Sequence, residues 1–196
     1  MMTQKSHPSL RRGFTLIELL VVISIVAVLA AMSFAGVTAA MKKTRTVQSQ
    51  TLATGLEKAV NDFYNDYNRL PDFTQDEIKT DTSQGEDLLK ILMAEEDGQR
   101  DLDNSRKNRY FDPQEGKGNK GGVIRSKTGD RGPKALFDAF GNPFTVVLNL
   151  DYEDELRFSM GGKQYRLRGK QVAVYSPGAD GEEGTSDDVV TFTKQN

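Results

Sequence analysis

The sequence predicts an α+β fold: one long N-terminal helix, transmembrane in its first half and amphipathic in its second, packed on a small antiparallel β-sheet. Three observations lead there. Residues 14–41 hold one charge and no proline. Gly55 is the only glycine between residues 37 and 70, and after that first apolar run no proline appears until Pro71. From residue 135 onward, short β-rich runs alternate with turns rich in Gly, Asn and Asp.

The N-terminal run, FTLIELLVVISIVAVLAAMSFAGVTAAM, would form about 42 Å of helix, enough to cross a ~30 Å hydrocarbon core. Arg11 and Arg12 before it predict a cytoplasmic N-terminus, although Lys42, Lys43 and Arg45 follow on the other side. Beyond Met41, Leu52, Leu56, Ala59, Val60, Phe63 and Tyr67 recur at steps of three and four and share one face. Lys58, Asp62 and Asn65 supply polar surface. The helix is therefore expected over about 14–68, ended by Pro71 and its bias on Leu70.

Residues 72–134 are less regular. GEDLLKILMAEED, residues 85–97, predicts a short helix. Residues 104–134 are dense in Gly, Lys and Arg and read as a flexible surface loop. They contain no Gly-x-x-x-x-Gly-Lys-Ser/Thr pattern and no aromatic interleaving, which argues against phosphate or nucleic-acid binding. PFTVVLNL, DELRFSM, KQYRLRG, QVAVYS and DVVTFT read as strands, with Gly161-Gly162 as a hairpin turn.

Composition excludes several chemistries. The chain of 196 residues has no cysteine, so it has no disulfide framework, thiolate metal site or cysteine nucleophile. Its one histidine, His7, lies in the N-terminal segment, which removes the usual triads from the rest of the chain. Formal charge is −2, and the first 13 residues carry Lys5, Arg11 and Arg12, leaving the body at about −5. An acidic body argues against nucleic acid as a partner. Cysteine- and histidine-based catalysis is thereby removed from the body of the chain.

Two features remain. Glu18 is an acid inside the apolar run, where an unpaired carboxylate costs about 2.5–3.5 kcal/mol near mid-membrane and implies a partner or a snorkelling side chain. SPGADGEEGTSDD, residues 176–188, sets Asp180, Glu182, Glu183, Asp187 and Asp188 among three glycines between the last two strands. Its spacing is not that of an EF-hand, and an acidic loop of this kind is either solvated or a site for a hard cation.

The start of the chain has a basic segment, an apolar run and small residues near Ala30, Ala31, Ala35 and Gly36, as an ordinary secretory signal does. The run is too long for one, however, and contains an acid. Gly13-Phe14-Thr15-Leu16-Ile17-Glu18 resembles instead the type III signal of type IV pilins and type II secretion pseudopilins. The resemblance implies that a prepilin peptidase cuts after Gly13, so that 1–13 is a removed leader, and methylates Phe14. It implies that 14–41 is kept as a transmembrane and filament-core helix, and that 42–196 is a periplasmic domain of pilin-like fold. Glu18 would then pair with the Phe14 ammonium of a neighbouring subunit.

DAFGNPF, residues 138–144, resembles a turn of the major pseudopilin, with Ala139 and Phe140 in place of Pro-Trp. The acidic loop resembles that protein's calcium loop, with Val189 replacing Ile. That implies structural Ca2+ held by Asp180 and Asp188, with Asp187 and Ser176 as weaker ligands and carbonyls such as those of Pro177 and Glu183. Implied partners are copies of the chain, other pseudopilins, the peptidase, an inner-membrane assembly platform and the lipid bilayer. The function implied is polymerisation into a filament that drives protein export. The alternatives are a type IV or competence pilin, and a secreted calcium-binding or hydrolytic domain behind an ordinary signal peptide.

Overall fold

The computed structural model describes residues 13–96, 103–126 and 131–194, and of residues 32–36 the backbone alone. The leader residues Lys5, His7, Arg11 and Arg12 lie outside the described residues. The chain divides into two compact units, Met1–Met41 and Lys42–Asn196.

The first helix, α1, spans Leu16–Tyr67, 52 residues. In the first unit the described apolar side chains are exposed: Phe14 before the helix, and Leu16, Ile17, Leu20, Ile23, Val26 and Leu29 on it. Among the described residues no helix is long and apolar enough to cross a membrane. The expected span over 14–41 is therefore not shown.

In the second unit the stripe expected on α1 is the heart of the core. Leu56, Ala59, Val60 and Phe63 are fully buried, with Leu52 beside them and Tyr67 partly buried. The helix stops three residues before Leu70. Asn68 adopts a left-handed conformation (φ 52°), and its N–H donates to the Tyr64 carbonyl at 2.7 Å. A left-handed residue just past the last turn closes the helix, so Asn68, not Pro71, is the stop. A second helix, α2, spans Ser83–Met93, capped by the Thr82 hydroxyl, which accepts from Gly85 N–H at 3.2 Å.

The strands are β1 (Glu77–Lys79), β2 (Gly122–Arg125), β3 (Pro133–Phe137), β4 (Thr145–Leu148), β5 (Glu155–Met160), β6 (Lys163–Arg168), β7 (Val172–Ser176) and β8 (Val189–Val190). They form three antiparallel sheets, not the single one expected: β1-β4-β7-β8, β2-β3 and β5-β6. The division follows from β4 and β7, every residue of which is buried. Val146, Leu148, Val172 and Val174 face the core built on α1. Val147, Ala173 and Tyr175 face the opposite way, and the β5–β6 hairpin covers them with Leu156, Phe158, Met160 and Tyr165. A sheet covered on both faces reads as an uninterrupted apolar run.

The Gly161-Gly162 turn is as expected, with both residues at positive φ (57° and 76°). Residues 104–134 are not a flexible loop where they are described. Phe111, Val123 and Leu136 are buried, the N–H groups of Tyr110 and Phe111 both donate to the Leu92 carbonyl, and β2 pairs with β3. Phe111 and Val123 within it, and Leu136 on the strand paired with it, tie down a stretch whose composition is otherwise that of a loop; residues 127–130 lie outside the described residues.

Candidate functional site

Two places hold the expected functional residues. At the start of α1, Thr15 precedes the first helical residue and Glu18 stands three residues on. The Glu18 carboxylate accepts from Thr15 N–H at 2.9 Å and from the Thr15 hydroxyl at 2.7 Å, while Glu18 N–H donates back to that hydroxyl at 3.3 Å. This is a capping box, which satisfies backbone donors that no helical carbonyl reaches. The acid in the apolar run thus has a partner within its own chain. Sequence reasoning missed it, although Thr-x-x-Glu ahead of an apolar run is its signature. Gly13 lies just before the box, with open space around its Cα.

A family described as the prokaryotic N-terminal methylation motif matches residues 8–34. Residues 8–34 thus carry the N-terminal motif of type IV pilin-like subunits. Processing by prepilin peptidase and polymerisation of pilin type come with that motif. No curated protein and no solved structure matches the chain.

The second place is the acidic loop between β7 and β8. Its base is Asp138, fully buried at the end of β3. Asp138 Oδ1 accepts from the N–H groups of Phe140, Gly141 and Asn142 at 2.7–2.9 Å, building the turn that starts the DAFGNPF stretch. Asp138 Oδ2 accepts from the Ser176 hydroxyl at 2.9 Å, and the Asn142 amide donates to the Gly178 carbonyl at 2.6 Å. The two segments that resemble the major pseudopilin are thereby bonded to each other. The Ser176 hydroxyl donates its proton to this anchor.

Within the loop, Gly178 has φ +72°, and a Cβ there would stand 2.1 Å from the Asp187 carbonyl oxygen, so only glycine fits. Asp187 Oδ2 accepts from Ala179 N–H at 2.9 Å and Asp180 N–H at 3.2 Å, and Oδ1 accepts from the Thr185 hydroxyl at 2.9 Å. Burial pushes the Asp187 carboxyl up, but the Thr185 hydroxyl, the Asp180 side chain and these N–H groups outweigh it and hold it below the usual range. Asp180 accepts from Glu182 N–H at 2.9 Å. The Glu183 carboxylate stands 3.7 Å from Lys79 Nζ, and its carbonyl oxygen packs against Gly161, where a Cβ would stand 2.3 Å from it. For Pro177 the carbonyl, an acceptor, is the only polar backbone group.

Asp188 lies beneath, its side chain fully buried. Its Oδ2 accepts from Gly184 N–H at 3.1 Å and from Lys194 Nζ at 3.0 Å. Its Oδ1 has no hydrogen-bond partner among the described residues. The surrounding field is negative. Burial first, then the charges of Glu183, Glu77 and Asp188, push the Tyr175 phenol far above its usual range. Burial, Asp76 and Glu183 likewise push the Glu77 carboxyl up.

These residues meet part of what a hard cation needs. A buried carboxylate oxygen without a donor beside a negative field fits a cation such as Ca2+, which takes six to eight oxygens. Among the described residues, however, no three acids gather as a metal cluster, so carbonyls would have to supply much of the shell. Asp188 and Asp180 would hold the ion, and Asp187 serves chiefly to fold the loop. Asp138, Asn142 and Lys194 are the residues sequence reasoning missed here. An Asp ahead of Gly-Asn signalled the first two; nothing in the sequence signalled Lys194.

Proposed function

We propose that the chain is a pseudopilin of a type II secretion system, held in an inner membrane and polymerised into a filament whose growth drives protein export. The observation that carries the reading is the exposed apolar surface of residues 14–29 directly behind the methylation motif. A contiguous surface of that size needs a bilayer or other subunits to cover it. The subunit is a substrate of the peptidase, cut after Gly13 and methylated on Phe14, and has no catalysis of its own. Cutting converts the Phe14 amide to an ammonium. That cation competes with Thr15 for the Glu18 carboxylate of a neighbour, and in an apolar filament core the attraction is poorly screened. Calcium, where bound, pins the loop between β7 and β8 by neutralising the buried Asp188.

Secretion is favoured over a surface pilus because the chain has no cysteine to staple a C-terminal loop and carries an acidic loop there instead. Mass spectrometry of the mature chain tests the class: a methylated Phe14 start is expected, and a start near residue 36 would overturn it. Deleting the gene tests the system. Loss of exoprotein export supports secretion, whereas intact export with lost adhesion, motility or DNA uptake assigns it to a type IV or competence pilus.

A further inference from the structure

We propose that Lys194 is the resident counter-cation of the acidic loop, and that a divalent cation enters only by displacing its ammonium. The second half rests on the calcium reading above. Lys194 Nζ donates to Asp188 Oδ2 at 3.0 Å and also to the Thr185 carbonyl. An ionised carboxylate as deeply buried as Asp188 is costly without a paired charge, and Gly184 N–H offers only a dipole. Lys194 therefore keeps the loop folded without metal.

The same contact obstructs metal binding. Calcium would take Asp188 Oδ1 at about 2.4 Å and carbonyls of the loop, placing two cations on one carboxylate. Like charges at that range repel, so the ammonium must leave. The backbone beside it is fixed: Thr191 N–H donates to the Val174 carbonyl at 3.0 Å, and the Phe192 ring packs edge-on against Phe158 and Tyr165. The flexible four-carbon stem of Lys194 can swing its ammonium into water while that backbone stays in place. Lys194 thus sets calcium affinity and makes the metal dispensable for folding.

The test uses the full-length chain in detergent, with Lys194→Gln and Lys194→Arg, melted in chelator and in calcium chloride and titrated with calcium by calorimetry. Wild type should melt similarly with and without chelator. Lys194→Gln should melt lower by about 5 °C or more in chelator and recover in calcium. It should also bind calcium about tenfold more tightly than wild type. Lys194→Arg, which keeps the charge, should behave as wild type. A Lys194→Gln chain that melts like wild type in chelator overturns the counter-cation. Equal calcium affinity in both chains overturns the displacement. If neither chain binds calcium while Lys194→Gln still melts lower, the calcium reading fails and the counter-cation stands.

Discussion

Asp138 joins two distant parts of the chain through one carboxylate. Three N–H groups of its own turn and the hydroxyl of Ser176, 38 residues away, all converge on it. Replacing it with Ala strands the buried Ser176 hydroxyl and takes the acceptor from three part-buried N–H groups, at about 1–3 kcal/mol for each one left unsatisfied. Asp138→Ala should therefore cost at least ~3 kcal/mol and lower the melting temperature by about 6–12 °C, measured by calorimetry. A change under 2 °C would mean water reaches the turn. This residue was legible only in part: an Asp three residues ahead of a glycine announces a turn, but nothing in the sequence places Ser176 beside it. Glu18 is the reverse case, because Thr15 and the helix start lie within three residues of it.

At the scale of elements, the β5–β6 hairpin is a lid over one face of the central sheet. Phe158 stacks on Tyr165 and Tyr175 with ring centroids 5.4 and 6.0 Å apart and meets Phe192 edge-on at 5.2 Å. Phe158→Ala should cost about 3–5 kcal/mol in urea unfolding. Hydrogen exchange should show lost protection in β5 and β6 before α2, since the two lie in different clusters. Elsewhere, the Tyr110 hydroxyl donates to Asp66 at 2.7 Å and ties the segment before β2 to α1. Burial, then the bond to Asp66, push Tyr110 up from 10.0 to about 12. The neutral phenol is the form the fold favours. Its contribution is present in full below pH 10 and is lost as pH rises through about 12. Stability should fall across that alkaline window, and Tyr110→Phe should remove that component of the fall. An unchanged alkaline profile in the variant would place the titration elsewhere.

At the scale of the molecule, one unit buries a core in its own fold and the other leaves its apolar side chains uncovered. Glu18→Ala should leave membrane insertion intact, because it makes the N-terminal run more apolar, yet abolish assembly, because no carboxylate remains to meet the Phe14 ammonium. Fractionation and electron microscopy check the two halves separately. Normal filaments would remove Glu18 from assembly and leave it the helix cap alone.

Local order was readable wherever one physical period dominates. The stripe from Leu52 to Tyr67, the glycine pair at 161–162 and the motif around Gly13 each depend on residues within one or two turns of chain. The three-residue β1, the β2–β3 pair and the division into three sheets were not readable. The β2–β3 pair exists because Phe111, Val123 and Leu136 find a core assembled from segments far away in the chain, and the division into sheets because β4 and β7 are covered on both faces. Nor was the counter-ion of Asp188 readable: burial decides that this carboxylate needs a cation, and only packing brings the Lys194 ammonium to it.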